Sequence, residues 1–119
     1  MGSEKLLEAV VKAADSKRAL DIVALDVHEV SGVADTFVIM EAMNTRQIGA
    51  IVDAIDEAAE AQDVMSGGKI EGRPESGWVL MDFGDVIVNV FDKDSRLRYN
   101  LEKLWSDAPL VDVSNWLTD

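Results

Sequence analysis

The residues best placed to do chemistry lie between Trp78 and Phe91. Trp78–Phe83 (WVLMDF) and Val86–Phe91 (VIVNVF) are two strand-like runs joined by Gly84-Asp85. A Gly-Asp pair suits a two-residue hairpin turn. That turn pairs Phe83 with Val86, Asp82 with Ile87, Leu80 with Asn89 and Trp78 with Phe91. One face then carries Val79, Met81, Phe83, Val86, Val88 and Val90, and is wholly apolar, as a core face should be. The other carries Trp78, Leu80, Asp82, Ile87, Asn89 and Phe91. An unpaired buried carboxylate is costly, so this second face stays partly open or is specially paired. In the alternative, a helix covers Trp78 and Phe91 and leaves Asp82 at the rim. Large apolar groups interleaved with polar ones on an open face are the chemistry of protein–protein contact.

Catalytic readings of the same residues are weaker. Asp82, Asp85 and Asp92 could form a two-metal carboxylate site of a metal-dependent enzyme. Carboxylates are abundant in this chain, however, and Asp85 is explained as a turn residue. Asp82-Phe83-Gly84 spells a kinase magnesium signature without the glycine-rich loop, strand lysine or His-Arg-Asp that a kinase needs. Gly67-Gly68-Lys69 echoes a phosphate loop, but Asp63 stands where the first Gly is required and Ile70 follows the Lys. His28 is the only His, which excludes a multi-His metal site and leaves a Ser-His-Asp triad without a nucleophile elbow. No cofactor or metal is expected.

The elements that must hold the hairpin are legible from periodicity. Residues 4–18 read as a helix with Leu6, Leu7, Val10, Val11 and Ala14 on one face and Ser3 as N-cap. Residues 21–27 and 36–41 read as strands, with a turn at Ser31-Gly32. Asn44 caps a helix running to about Gln62, with Gln47 in capping-box position. Its apolar stripe is Ile48, Ile51, Val52, Ile55, Ala58 and Ala59, and its outer face is an acidic ridge of Asp53, Asp56, Glu57 and Glu60. Lys69–Gly72 is a short strand after a break at Ser66-Gly67-Gly68. Asp92, Asp94 or Ser95 caps a last helix, about Ser95–Trp105, with Leu97, Leu101, Leu104 and Trp105 on one face. The order α-β-β-α-β-β-β-α predicts an α/β (α+β) domain with a mixed sheet of about five strands and helices on its faces. The strand–helix–strand unit from 36 to 72 should join parallel strands by a right-handed crossover. The domain spans 1–108. Residues 109–119 form an apolar tail, expected to pack back or to meet a second copy.

Composition narrows the partners. The 119 residues carry 23 acids, 11 bases and no Cys, for a net charge of −12. That excludes a disulfide scaffold and argues against a grip on bare nucleic acid, which depends on Lys and Arg. Ala19–Gly68 alone holds ten acids and one base, Arg46. Such a block is a solvated face or an electronegative docking surface for a basic partner. No signal segment or membrane-length apolar run is evident, so the cytoplasm is the expected location.

Several segments together carry a family resemblance: Asp21–Val27 (DIVALDV), Ala34–Ile39 (ADTFVI), Arg46-Gln47, Glu71-Gly72, Trp78–Phe91 and Arg96–Trp105 (RLRYNLEKLW). In this order they resemble the ribosomal silencing factors, the Iojap-related family, over about residues 4–108. The family commonly has Gly where Ala42-Met43 stands and often His where Asn89 stands. The resemblance implies a nucleotidyltransferase-like fold without enzymatic activity; the alternative that this likeness leaves is a nucleotidyltransferase-like enzyme binding metal and nucleotide through Asp82, Asp85 and Asp92. It implies a translational repressor that binds the large ribosomal subunit through its fourteenth ribosomal protein and blocks small-subunit joining when nutrients are scarce. It also implies a homodimer when free. Carried onto this chain, the contact residues are Trp78, Leu80, Asp82 and Asp85 of the hairpin, with Arg98 and Tyr99 of the last helix.

Overall fold

Helix α1 (Gly2–Ser16) buries Leu6, Leu7, Val10, Val11 and Ala14. It begins at Gly2, so Ser3 lies within it and is not its N-cap. These coordinates come from a computed structural model that describes residues 2–31, 34–62 and 70–117. The expected break at Ser66-Gly67-Gly68, Gly32 of the first turn and Lys69 of the third strand lie outside the described residues.

The chain continues through β1 (Leu20–Asp26), a single helical turn α2 (His28–Ser31), β2 (Thr36–Ala42) and helix α3 (Thr45–Glu60). Asn44 caps α3 by accepting from the Gln47 backbone N–H at 2.8 Å. The Gln47 side chain does more than close a capping box. Its Oε1 accepts from the Met43 N–H at 2.6 Å, and its Nε2 donates to the carbonyls of Lys17 and Arg18 at 3.0 and 2.9 Å. One side chain thereby ties the start of α3 to the end of α1.

Strands β3 (Ile70–Arg73), β4 (Trp78–Asp82) and β5 (Val86–Asp92) follow. The last helical region is two short pieces, α4 (Lys93–Tyr99) and α5 (Leu101–Leu104). The sheet has six strands in the order β3-β4-β5-β2-β1-β6, where β6 is Leu110–Val111. The sixth strand comes from the tail, whose two residues pair with Ala24 and Leu25 of β1. Among the described residues only β2–β5 is a parallel pair. Two antiparallel steps separate β3 from β5, so β3 also runs parallel to β2. The α3 crossover therefore joins parallel strands that are not neighbours, because the β4–β5 hairpin folds back between them.

Each face of the sheet has its own core. On one face, α1 and α3 pack Val10, Ile48, Ile51 and Ile55 against Val38, Met40, Val79, Met81, Val88 and Val90. Val113 of the tail is buried in the same cluster, with Val111, Trp116 and Leu117 packed against it. On the other face lies a smaller cluster of Leu25, Val27, Ile39, Phe91 and Ala108, with Phe37, Trp78, Leu101 and Trp105 partly buried beside it. That thinner layer leaves part of the face open.

Candidate functional site

The hairpin adopts the register that the Gly84-Asp85 turn requires. Trp78 lies opposite Phe91, Leu80 opposite Asn89 and Asp82 opposite Ile87. The Phe83 N–H donates to the Val86 carbonyl at 3.0 Å and closes the turn. Val79, Met81, Val86, Val88 and Val90 are buried. On the opposite face Phe91 and Asn89 are fully buried, whereas Trp78, Leu80, Asp82 and Ile87 are half-buried. The face is thus both specially paired and partly open.

The pairing centres on Asn89. Its Oδ1 accepts from Trp78 Nε1 at 3.0 Å, and its Nδ2 donates to the Val38 carbonyl at 3.5 Å. A buried amide needs such partners, and the indole N–H supplies one from the side chain it must orient. Phe91 then supports the indole, with ring centroids 5.1 Å apart in a stacked arrangement. Tyr99 of α4 meets Trp78 at 4.5 Å with a 43° tilt. Trp78, Leu80 and Tyr99 line a groove of about 230 Å³ whose remaining walls are Glu71, Gly72 and Ser76.

Two local devices aim Tyr99 at this groove. Asp92 accepts from the Ser95 N–H at 2.8 Å and caps α4, while its own N–H donates to the Gly77 carbonyl at 2.9 Å. At the other end Asn100 takes a left-handed conformation (φ 47°, ψ 54°) and terminates α4. This break overturns the single helix over Ser95–Trp105. Asn is among the few residues that adopt the left-handed region readily, and here it shifts the phase of everything beyond it. Leu97 before the break and Leu104 beyond it point outward, each 70% exposed, while Leu101 and Trp105 beyond it pack inward. The bend is braced by Arg96, which is 8% exposed. Its Nε and Nη2 donate to the two Glu102 oxygens at 3.0 and 3.1 Å, and Glu41 stands 3.7 Å from Nη1.

The other expected contact residues are placed differently. Asp82 sits at the far end of β4, where Oδ1 accepts from the Gly84 N–H at 2.8 Å. It lies four residue steps along the strand from Trp78, roughly 13 Å. Asp85 is exposed in the turn, and its carbonyl accepts from the N–H groups of Asp35 and Thr36 at 2.8 and 3.1 Å. Arg98 is exposed beside Tyr99 in the chain but does not line the groove. Asp82 and Asp92 lie at opposite ends of the hairpin, so the three carboxylates of the enzymatic alternative are not brought together. Each has a turn or cap role instead. Among the described residues no group of three or more His, Cys, Asp and Glu could hold a metal ion. Sequence reading missed Glu71, Gly72 and Ser76 as groove walls. The available signal was the turn cluster 73–77, which folds β3 back onto β4 and sets Glu71 opposite Leu80.

Near the turn, His28 Nδ1 lies 2.8 Å from Asp35 Oδ1. That hydrogen bond, followed by the charge of Asp35 itself, raises the imidazole pKa above its ordinary value. Asp26 and Glu29 act in the same direction, and desolvation opposes them.

A mixed six-stranded sheet with an aromatic groove beside a short, bent helix defines a small α+β domain with one partly open face. Comparison with known proteins then gives the particular family. The family model described as "Ribosomal silencing factor during starvation" matches residues 1–119. The chain is 46% identical over 113 residues to Ribosomal silencing factor RsfS of Bacillus subtilis, covering 95% of both chains. A crystal structure from Bacillus halodurans superposes with a TM-score of 0.79 at 39% identity, covering 92% of this chain and 98% of that one. Another, of a protein from Chromobacterium violaceum, gives 0.84 at 25% identity, covering 89% and 88%. The chain belongs to the ribosomal silencing factor family. Among the described residues, no helix is long and apolar enough to cross a membrane.

Proposed function

We propose that this chain represses translation by docking on the large ribosomal subunit, through its fourteenth ribosomal protein, and sterically excluding the small subunit. Family membership supports the ribosomal assignment. The observation that carries the docking surface is the groove of Trp78, Leu80 and Tyr99, open on a chain of net charge −12. Half-exposed aromatics held rigidly are the side chains that dominate interface energies, and an acidic domain suits a basic ribosomal protein. Trp78, Leu80 and Tyr99 form the centre of the contact in this reading. Asp82, Asp85 and Arg98 lie around it as polar rim. Residues 1–108 are the docking domain, Leu110–Val111 of the tail add the edge strand to its sheet, and the free protein is a cytoplasmic homodimer.

Sucrose-gradient sedimentation of the tagged chain tests this. Comigration with free large subunits and absence from joined ribosomes is the expected pattern. Trp78→Ala should abolish comigration. Asp82→Asn keeps the oxygen that accepts from Gly84 while removing the charge, so it reads the contact and not the turn. If both variants still sediment with large subunits and still block joining at wild-type strength, the surface is elsewhere.

A further inference from the structure

We propose that the groove between β3, β4 and α4 is a subsite for one arginine side chain of the docked partner. Its guanidinium stacks on the rings of Trp78 and Tyr99 and pairs with the Glu71 carboxylate. The inference rests on the docking reading above and adds the chemistry of the group recognised.

Four observations converge on it. First, the only donor of the Trp78 indole is spent on Asn89, so the groove meets its π system and not its N–H. Trp78 and Tyr99, tilted by 43°, form an aromatic corner, and the negative faces of such rings attract cations. Second, Glu71 lines the same groove, is exposed, and has no ion pair among the described residues. Third, the corner is empty of the chain's own cations. Arg73 is the cross-strand partner of Trp78, yet no Lys or Arg among the described residues stacks on either ring. Fourth, Gly72 lines the groove without a side chain, and its φ of +87° and the close approach of the Trp78 carbonyl oxygen to where a Cβ would sit hold that position to glycine.

The size of the groove selects the occupant. At about 230 Å³ it falls below the roughly 300–1,000 Å³ of small-molecule sites and suits a single long side chain. Guanidinium fits better than ammonium. It is planar, more weakly hydrated, stacks on aromatic faces and pairs with carboxylates through two parallel hydrogen bonds.

The test has two arms, both on the whole chain. In the first, 5-fluorotryptophan is placed at position 78 and its fluorine NMR signal is followed during titration with acetyl-Gly-Arg-Gly-amide. The lysine and citrulline counterparts are titrated in parallel. A saturable shift is expected with the arginine peptide, at least about fivefold weaker with lysine and absent with citrulline. Glu71→Gln should reduce the arginine response while leaving the thermal midpoint unchanged. Equal responses to the three peptides, or none to arginine, overturn the subsite. In the second arm, affinity for isolated large subunits is measured with one and then two fluorines on residue 78, and with Glu71→Gln. Fluorination should weaken binding stepwise and Glu71→Gln by about five- to tenfold. Unchanged affinities overturn the subsite and leave the docking reading standing. A wild-type chain that does not bind subunits overturns the docking reading, and the first arm then decides the subsite alone.

Discussion

Trp78 donates its indole N–H to the buried side-chain oxygen of Asn89 at 3.0 Å, from a neighbouring strand and on the same face of the sheet. The bond fixes a half-exposed aromatic by means of a core amide. It also satisfies the one residue of that face whose polarity makes no sense in an apolar layer.

The pair should behave as a unit. Asn89→Leu keeps most of the volume but strands the Trp78 donor, and should cost about 1–2 kcal/mol in urea unfolding. Trp78→Phe strands Asn89 Oδ1 at comparable cost. The double variant loses both partners together and should recover about 1 kcal/mol relative to the sum of the single changes. Strict additivity would show that the hydrogen bond contributes nothing to folding.

Three glycines with positive φ should give a graded series when changed to Ala. Gly84 (φ +91°) has nothing within 4 Å of an added Cβ, so Gly84→Ala should cost only the conformational strain, about 1 kcal/mol. Gly77→Ala would press on Asp92 Oδ2 at 2.5 Å and Ser95 Oγ at 2.6 Å, disturbing the α4 cap, for about 2–3 kcal/mol. Gly72→Ala meets a backbone carbonyl oxygen that cannot swing aside, and should be worst. Thermal melts of the three variants check the order, and a Gly72→Ala chain as stable as Gly84→Ala would show that β3 moves away from β4 freely.

The hairpin was legible because its signals are local. A Gly-Asp turn fixes the register, and alternation then assigns both faces without tertiary information. The α3 stripe was legible for the same reason, and Ile48, Ile51, Ile55 and Ala59 are its buried members. The last helix misled because periodicity assumes one continuous helix. Asn100 puts a single left-handed residue between Leu97 and Leu101, so the two do not share a face, and Leu97 and Leu104 lie outside the core. The groove itself was only half legible. Trp78 and Leu80 follow from strand alternation, but Glu71 enters through cross-strand pairing with Leu80 and Tyr99 through the direction of a capped helix. The β6 pairing depends on where the tail meets β1, which no local pattern encodes.

The Arg96 brace should matter for both stability and docking. Arg96→Met removes the cation between Glu102 and Glu41 and leaves two carboxylates facing each other. The Glu102 side chain is 39% exposed, which moderates the penalty to about 2–3 kcal/mol. Because Arg96 also holds the bend that follows Tyr99, subunit affinity should fall even where the variant remains fully folded. Circular dichroism melts combined with sedimentation separate the two effects. A folded Arg96→Met chain with wild-type affinity would show that Tyr99 needs no support from the bend.

The His28–Asp35 pair sets a pH dependence whose sign is fixed by the direction of the shift. The folded-state pKa of His28 is raised above its ordinary value of 6.5, chiefly by the Asp35 hydrogen bond and then by the Asp35 charge. A raised pKa means that the folded chain holds the proton more tightly than the unfolded one. The contribution is therefore complete below pH 6.5, declines as pH rises through the folded-state value, and is lost above it. His28→Ala should lower the thermal midpoint at pH 5.5 and leave it unchanged at pH 9. The effect should be small and should shrink with added salt, since the pair is solvent-exposed. Asp35→Asn should remove most of the pH dependence in the wild-type His28 background, leaving only what Asp26 and Glu29 supply. A destabilisation by His28→Ala that is larger at pH 9 than at pH 5.5 would reverse the sign and show that the neutral imidazole is the form the fold prefers.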